Sequence, residues 1–148
     1  MNQLPALFIL LGLLFGQARI GEWQAYTAPL HINDITGFEQ QAICGTDGGL
    51  LIYDQDRDSF NTLTVIDHLA GTGINVVEIG KDGYLWLGGV SPYGFVQVYD
   101  FKNKKSIAEF NFGLTEIIDI SITDSIGFVA FLENQDWGLM EFIYRDEN

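Results

Sequence analysis

In the run Asp54-Gln-Asp56-Arg-Asp58, three carboxylates occupy alternate positions. That spacing opens a calcium loop, in which hard oxygen donors from alternate residues surround the ion. The rest of such a loop is missing, because Ser59 stands where a sharp turn needs glycine and Val65 where a bidentate glutamate would close the shell. Asp54, Asp56 and Asp58 therefore form an incomplete calcium candidate, with a solvated connection between strands as the alternative. His31 and His68 have no His-x-x-x-His or carboxylate spacing and read as loop histidines. Cys44 is the one cysteine, which leaves no internal disulfide and no Cys-based cluster. Between Ile43 and Gly45 it reads as a small buried hydrophobe. There is no G-x-S-x-G, no P-loop, and no helix after Gly71-Thr-Gly73 to bind a pyrophosphate. We expect no enzyme and no cofactor.

The elements that position these residues are strands. Outside the apolar run 4–15, no stretch carries a sustained i, i+3, i+4 stripe. Short segments with strand character are Glu22–Thr27, Ile32–Ile35, Ala42–Gly45, Leu50–Tyr53 and Phe60–Thr64. Thr46-Asp-Gly-Gly49 makes a hairpin, since Asp-Gly and Gly-Gly accept the positive φ of tight turns. Lys81-Asp-Gly83 predicts a second turn by the same chemistry.

The pattern then repeats. Ile74-Asn-Val-Val77 follows Ile32-Asn-Asp-Ile35 by 42 residues, and Leu87-Gly88 follows Cys44-Gly45 by 43. Tyr99-Asp100 follows Tyr53-Asp54 by 46, the extra residues falling in Gly89 to Tyr93. A third copy opens at Ile117-Ile-Asp-Ile120, 43 residues after Ile74, and continues through Phe128–Leu132 and Leu139–Tyr144. A repeat of this length with four short strands predicts an all-β chain of propeller blades, each of four antiparallel strands. About three blades are present: 32–64, 74–112 and 117–144. The strand at 22–27 resembles the outermost strand of a last blade, which closes a ring.

Asp34 and Asp119 share an equivalent position in the first strands, with Val76 between them in the series. In propellers those strands line the central channel, where carboxylates could meet a ligand or cation; channel lining or strand-end hydrogen bonding is the alternative. Trp23, Trp86 and Trp137 are expected to pack between sheets. The loops Ser91–Gly94 and Asn134–Gly138 are candidate contact surfaces, with Tyr93 and Trp137 as their binding residues.

Residues 4–15 form a nearly unbroken apolar run, followed by Gly16-Gln17-Ala18 with small residues where a signal peptidase reads. Residues 1–18 thus predict an export signal, too short for an ordinary membrane anchor. The mature domain is then 19–148, in the periplasm or at the cell surface, with no membrane span after cleavage. Seven Lys and Arg against twenty Asp and Glu give a net charge of −13, which repels phosphate backbones and excludes nucleic acid as a natural partner.

Asp82-Gly-Tyr-Leu-Trp-Leu-Gly88 resembles the signature of two-component-regulator propeller repeats, found in extracellular sensor halves of hybrid histidine kinases. Trp23–Thr27, Ile32–Ile35, Gly45–Asp54 and Phe60–Asp67 resemble the opening of the PorZ-type N-terminal propellers of Type IX secretion-associated surface proteins. The resemblance spans about residues 22 to 100. It implies an exported, non-catalytic propeller that binds a protein or glycan partner or acts as a scaffold. The alternatives are a fragment of the sensor domain of a two-component regulator and a lyase-like propeller enzyme. The short blade count leads us to expect missing C-terminal blades or, failing that, association of copies through exposed blade faces.

Overall fold

The computed structural model describes residue 29 and residues 31–143 apart from 112, 124 and 125. The signal over 1–18 and the strand over 22–27 lie outside the described residues. Over the described residues the chain is all-β, built as three blades. The first contains β1 (Ile32–Phe38), β2 (Gln41–Thr46), β3 (Gly49–Asp54) and β4 (Ser59–Leu63). The second contains β5 (Gly73–Ile79), β6 (Leu85–Ser91), β7 (Phe95–Asp100) and β8 (Lys105–Phe110). Among the described residues the third has three strands, β9 (Glu116–Ile122), β10 (Ile126–Glu133) and β11 (Asp136–Ile143). Every pairing is antiparallel and joins strands adjacent in sequence. The sheet bounds differ from the repeat-based ones by a residue or two, and 112 and 144 lie outside the described residues.

Turn chemistry explains the hairpins. Thr46 pairs with Gly49 around Asp47-Gly48, and Thr46 Oγ1 both accepts from Gly48 N at 3.0 Å and donates to Gly49 O at 2.8 Å. Gly49 has φ 118°, which a residue with a Cβ rarely adopts. Between β5 and β6, Gly83 N donates to Gly80 O at 2.9 Å while Asp82 Oδ1 accepts from Tyr84 N at 3.0 Å.

Alternation along the strands gives each blade two apolar faces, and the blades stack through them. Ile43, Leu50, Ile74, Leu85, Leu87 and Tyr99 fill the core between the first two blades. Val76, Val96, Ile117, Ile120 and Val129 fill the second core, where Trp86 meets Phe142 edge-on at 6.0 Å. The middle blade is covered on both sides, so Phe95 to Tyr99 are all buried, as the repeat order predicts. Trp137 departs from its expected place between sheets and is 73% exposed. The cause is strand parity: Met140 and Phe142 of β11 pack toward the second blade, which turns Trp137, Leu139 and Ile143 to the opposite face.

One joint recurs between blades. Ile74 is fully buried over Gly45, where a Cβ would stand 3.0 Å from its Cγ2. Ile117 is fully buried over Gly88, where a Cβ would stand 2.5 Å from its Cγ2. Amide clamps flank the contacts: Asn33 Nδ2 donates to Ile74 O at 3.0 Å, and Asn75 Nδ2 donates to Ile117 O at 3.3 Å and to Glu116 Oε1 at 2.7 Å. The sequence repeats Ile-Asn and x-Gly are the two halves of this joint.

The connection from β4 to β5 is held by a buried hub. A 3-10 turn at Val65–Asp67 starts from a Thr64 capping box and ends at His68, φ 69°. Gln97, fully buried, accepts from Ala70 N at 3.0 Å and donates to His68 O and Ser106 Oγ, both at 2.9 Å. Tyr99 Oη donates to Asp67 O beside it, and burial pushes this phenol far above its ordinary range.

Candidate functional site

Each complete blade has an even number of strands, so the chain enters every blade at the same end. The β2–β3, β6–β7 and β10–β11 hairpins therefore share one rim of the stack. The rim is tied down by backbone bonds to the connection between the second and third blades. Gly94 N donates to Leu114 O and Thr115 N donates to Leu132 O, both at 2.9 Å, and Asn134 N donates to Thr115 Oγ1 at 3.1 Å. At the first hairpin, His31 Nδ1 and Asp47 Oδ2 lie 3.0 Å apart. The structure thus brings the candidates Tyr93 and Trp137 onto one rim, 42% and 73% exposed. Tyr93 follows the cis Ser91-Pro92 bond in the β6–β7 loop, whereas Trp137 belongs to β11 itself, just after a two-residue turn in which Asn134 and Gln135 both have positive φ.

The acidic candidates of the inner strands make backbone hydrogen bonds. Asp34 Oδ1 accepts from Ile35 N at 2.8 Å and its Oδ2 accepts from Val77 N of the next blade at 2.9 Å. Asp119 Oδ1 accepts from Ile120 N at 2.9 Å. Beside them stands Glu78, which no motif marks, and its pKa is raised above its ordinary 4.5, first by burial and then by the charges of Asp34 and Asp119. A carboxyl with a higher pKa folded than unfolded binds more protons in the native state, so its penalty is absent below 4.5 and grows as pH rises through the raised value. Glu78→Gln is accordingly expected to raise the melting temperature at pH 7 and leave it unchanged at pH 3, as measured by thermal unfolding at both.

The incomplete calcium run lies at the opposite end, in the β3–β4 turn. Asp54 Oδ1 accepts from Arg57 N at 3.1 Å and its Oδ2 accepts from Gln41 Nε2 at 3.3 Å, the first bond being the main reason its pKa is lowered. Asp58 Oδ1 accepts from Tyr53 Oη at 3.0 Å, and Asp56 is exposed. Among the described residues no three His, Cys, Asp or Glu side chains are grouped to hold a cation. Beside this turn, a cleft of about 310 Å³ separates the first two blades, with Phe101 and Ile52 among its lining residues and Lys102 bonded to Glu39 at 2.9 Å across it. Cys44 is 6% exposed, and burial followed by the nearby Asp34 charge raises its thiol pKa, which keeps it neutral. No helix among the described residues is long and apolar enough to cross a membrane.

Fold and rim define the class, a stack of propeller-type blades with an aromatic-bearing hairpin rim. No protein-family model and no curated protein matches the sequence. Among solved structures, the computationally designed Ika8 protein superposes with a TM-score of 0.52 at 14% identity, covering 73% of this chain and 32% of its own. A chain of the mitotic checkpoint complex gives a TM-score of 0.49 at 14% identity, covering 78% of this chain and 38% of its own. This chain therefore spans about a third of the length of either. At these identities the likeness concerns fold alone.

Proposed function

We propose that this chain is an exported, non-catalytic propeller module that recognises a protein or glycan at the cell surface or in the periplasm, or serves there as a scaffold. The observation that carries this reading is the rim, where rigid hairpins hold Tyr93 and Trp137 exposed. Large aromatic side chains held rigidly supply contact area at low entropic cost, and such residues dominate recognition surfaces. The apolar run at 4–15 and the small residues before Arg19 support export. The resemblance to regulator repeats and PorZ-type propellers agrees with a surface location, but the Asp82–Gly88 motif itself serves packing: Leu85, Trp86 and Leu87 are all buried.

Two experiments test this. Residues 1–21 fused to a periplasmic alkaline phosphatase reporter are expected to give activity, and an inactive fusion would remove the export half. Screening the chain against an immobilised glycan panel and the purified surface proteins of its host is expected to give a binder whose affinity falls tenfold or more in Tyr93→Ala and Trp137→Ala, the size of loss typical of an aromatic hot spot. Affinity unchanged in both variants would move the contact surface elsewhere.

A further inference from the structure

Charge is divided between the two ends of the stack. Every lysine and arginine among the described residues, Arg57, Lys81, Lys102, Lys104 and Lys105, lies in or beside a turn at the end opposite the rim. The rim hairpins carry Asp47, Glu133 and Asp136 and no lysine or arginine. The ends are far apart on the electrostatic scale: β10 and β11 each have eight residues, and at about 3.3 Å per residue such a strand spans roughly 26 Å. Exposed charges are screened over about 8 Å at physiological ionic strength, so the distant cations do not soften the negative field of the rim.

Within the rim, two carboxylates are set against each other. Glu133 and Asp136 stand directly opposite across the turn that joins β10 to β11, and both are exposed. Like charges in that position disfavour the hairpin, and among the described residues neither carboxylate has a cationic partner. Strand parity gives their direction. Glu133 shares a face with Phe131 and Asp136 with Met140, the residues that pack toward the second blade. That blade carries Tyr93 on the same rim, next to Gly94, whose N–H bonds Leu114 O while Thr115 N bonds Leu132 O. Trp137 stands on the opposite face of β11. The carboxylate pair therefore lies between the two exposed aromatic residues.

We propose that the rim takes a protein partner through a basic, arginine-bearing segment, with a guanidinium held by Glu133 and Asp136 and stacked against Tyr93 or Trp137. A guanidinium presents a planar fork of donors that matches carboxylates, and its flat face stacks on aromatic rings. Bound there, it relieves the repulsion that the hairpin carries when empty. A neutral glycan would cover the aromatic residues and leave the carboxylate pair uncompensated; an acidic one would be repelled. The inference rests on the rim being the contact surface and narrows its partner to a basic protein segment.

Fluorescence anisotropy of a labelled peptide of alternating glycine and arginine, titrated with the full chain, provides the test. The peptide is expected to bind, less tightly as salt is added, while its glycine–glutamine counterpart does not. Glu133→Gln combined with Asp136→Asn is expected to weaken binding at least about tenfold, and so are Tyr93→Ala and Trp137→Ala, the loss typical of a hot spot. Glu109→Gln combined with Glu141→Gln removes the same charge at exposed positions outside the rim hairpins and is expected to leave affinity within about twofold, the rim's field being local. Circular dichroism confirms folding in each. No binding of the arginine peptide, equal weakening by the two double variants, or unchanged affinity in the rim carboxylate variant or in both aromatic variants would each overturn the proposal. A partner from the surface screen that loses affinity in Tyr93→Ala and Trp137→Ala but not in the carboxylate variant would leave the rim as the contact surface and overturn this inference alone.

Discussion

Gln97→Leu is expected to cost about 3 kcal/mol of stability, on the scale of one to three for each polar group left without a partner. For a domain of this size that is roughly 10 °C in melting temperature. Gln97 is fully buried in the middle blade, and its amide bonds a backbone N–H, a backbone carbonyl and a hydroxyl at once. Leucine fills similar space and satisfies none of them. The loss falls on residues 68–70, which carry the chain from one blade to the next, so hydrogen exchange at Ala70 should accelerate before the strands are affected. Pairing the substitution with Ser106→Ala separates the hub from a volume effect. In a shared network the double variant costs less than the sum of the singles. Strict additivity would mean that Gln97 acts through packing alone.

Gly88→Val is the second large effect, expected to cost about 3 kcal/mol or more, at or above the upper end of ordinary overpacking. A Cβ at this position would stand 2.5 Å from Ile117 Cγ2 and 3.0 Å from its Cβ, close to the β9 backbone. Neither group can swing aside as the tip of a long side chain would, so the third blade has to shift away from the second. Gly37→Ala is the matched control, with nothing within 4 Å of the added atom, and should lie within about 0.5 kcal/mol of wild type. If the close approach is the cause, Ile117→Ala in the Gly88→Val background costs less than the two changes added separately. Denaturant unfolding of the four proteins measures this directly. A Gly88→Val chain as stable as Gly37→Ala would mean that the second and third blades do not meet as described.

The sequence showed most of the frame, for local reasons. Asp47-Gly48-Gly49 and Asp82-Gly83 mark hairpins by backbone chemistry that needs no tertiary context. The spacing from Ile32 to Ile74 to Ile117 marks the blades, because Ile74 and Ile117 each repeat the same insertion into the preceding blade. What that spacing could not show was which residues bridge two blades. Asn33 and Asn75 stood in the repeated motif, yet their role as clamps depends on carbonyls about forty residues away. Gln97 gave one legible signal, a lone amide in the apolar run Phe95-Val-Gln-Val-Tyr99, but its partners come from two other segments.

The candidate site was harder to read. Tyr93 and Trp137 could be chosen as aromatic residues near turns, and their meeting on one rim follows from the even strand count. Trp137 was read both as packing between sheets and as an exposed contact, because the choice depends on which face of β11 meets the second blade, a matter decided by Met140 and Phe142. Asp34 shows the opposite limit. Its position in the repeat is legible, but whether its second oxygen meets a ligand or Val77 N is decided by the distance to the next blade, which measures 2.9 Å from oxygen to nitrogen.

The side-by-side joint of three repeated blades holds the fold together, and nuclear Overhauser spectroscopy on the isotope-labelled chain tests it most directly. The Ile74 γ2 methyl should give a strong cross-peak to the α protons of Gly45, and the Ile117 γ2 methyl to those of Gly88, since an added Cβ at these glycines would stand 3.0 Å and 2.5 Å from the methyl carbons. Both cross-peaks together, with no cross-peak from either methyl to the other glycine, are the predicted result. Absence of both, with the β-hairpin contacts within each sheet intact, would show three blades that form without stacking and would contradict the account.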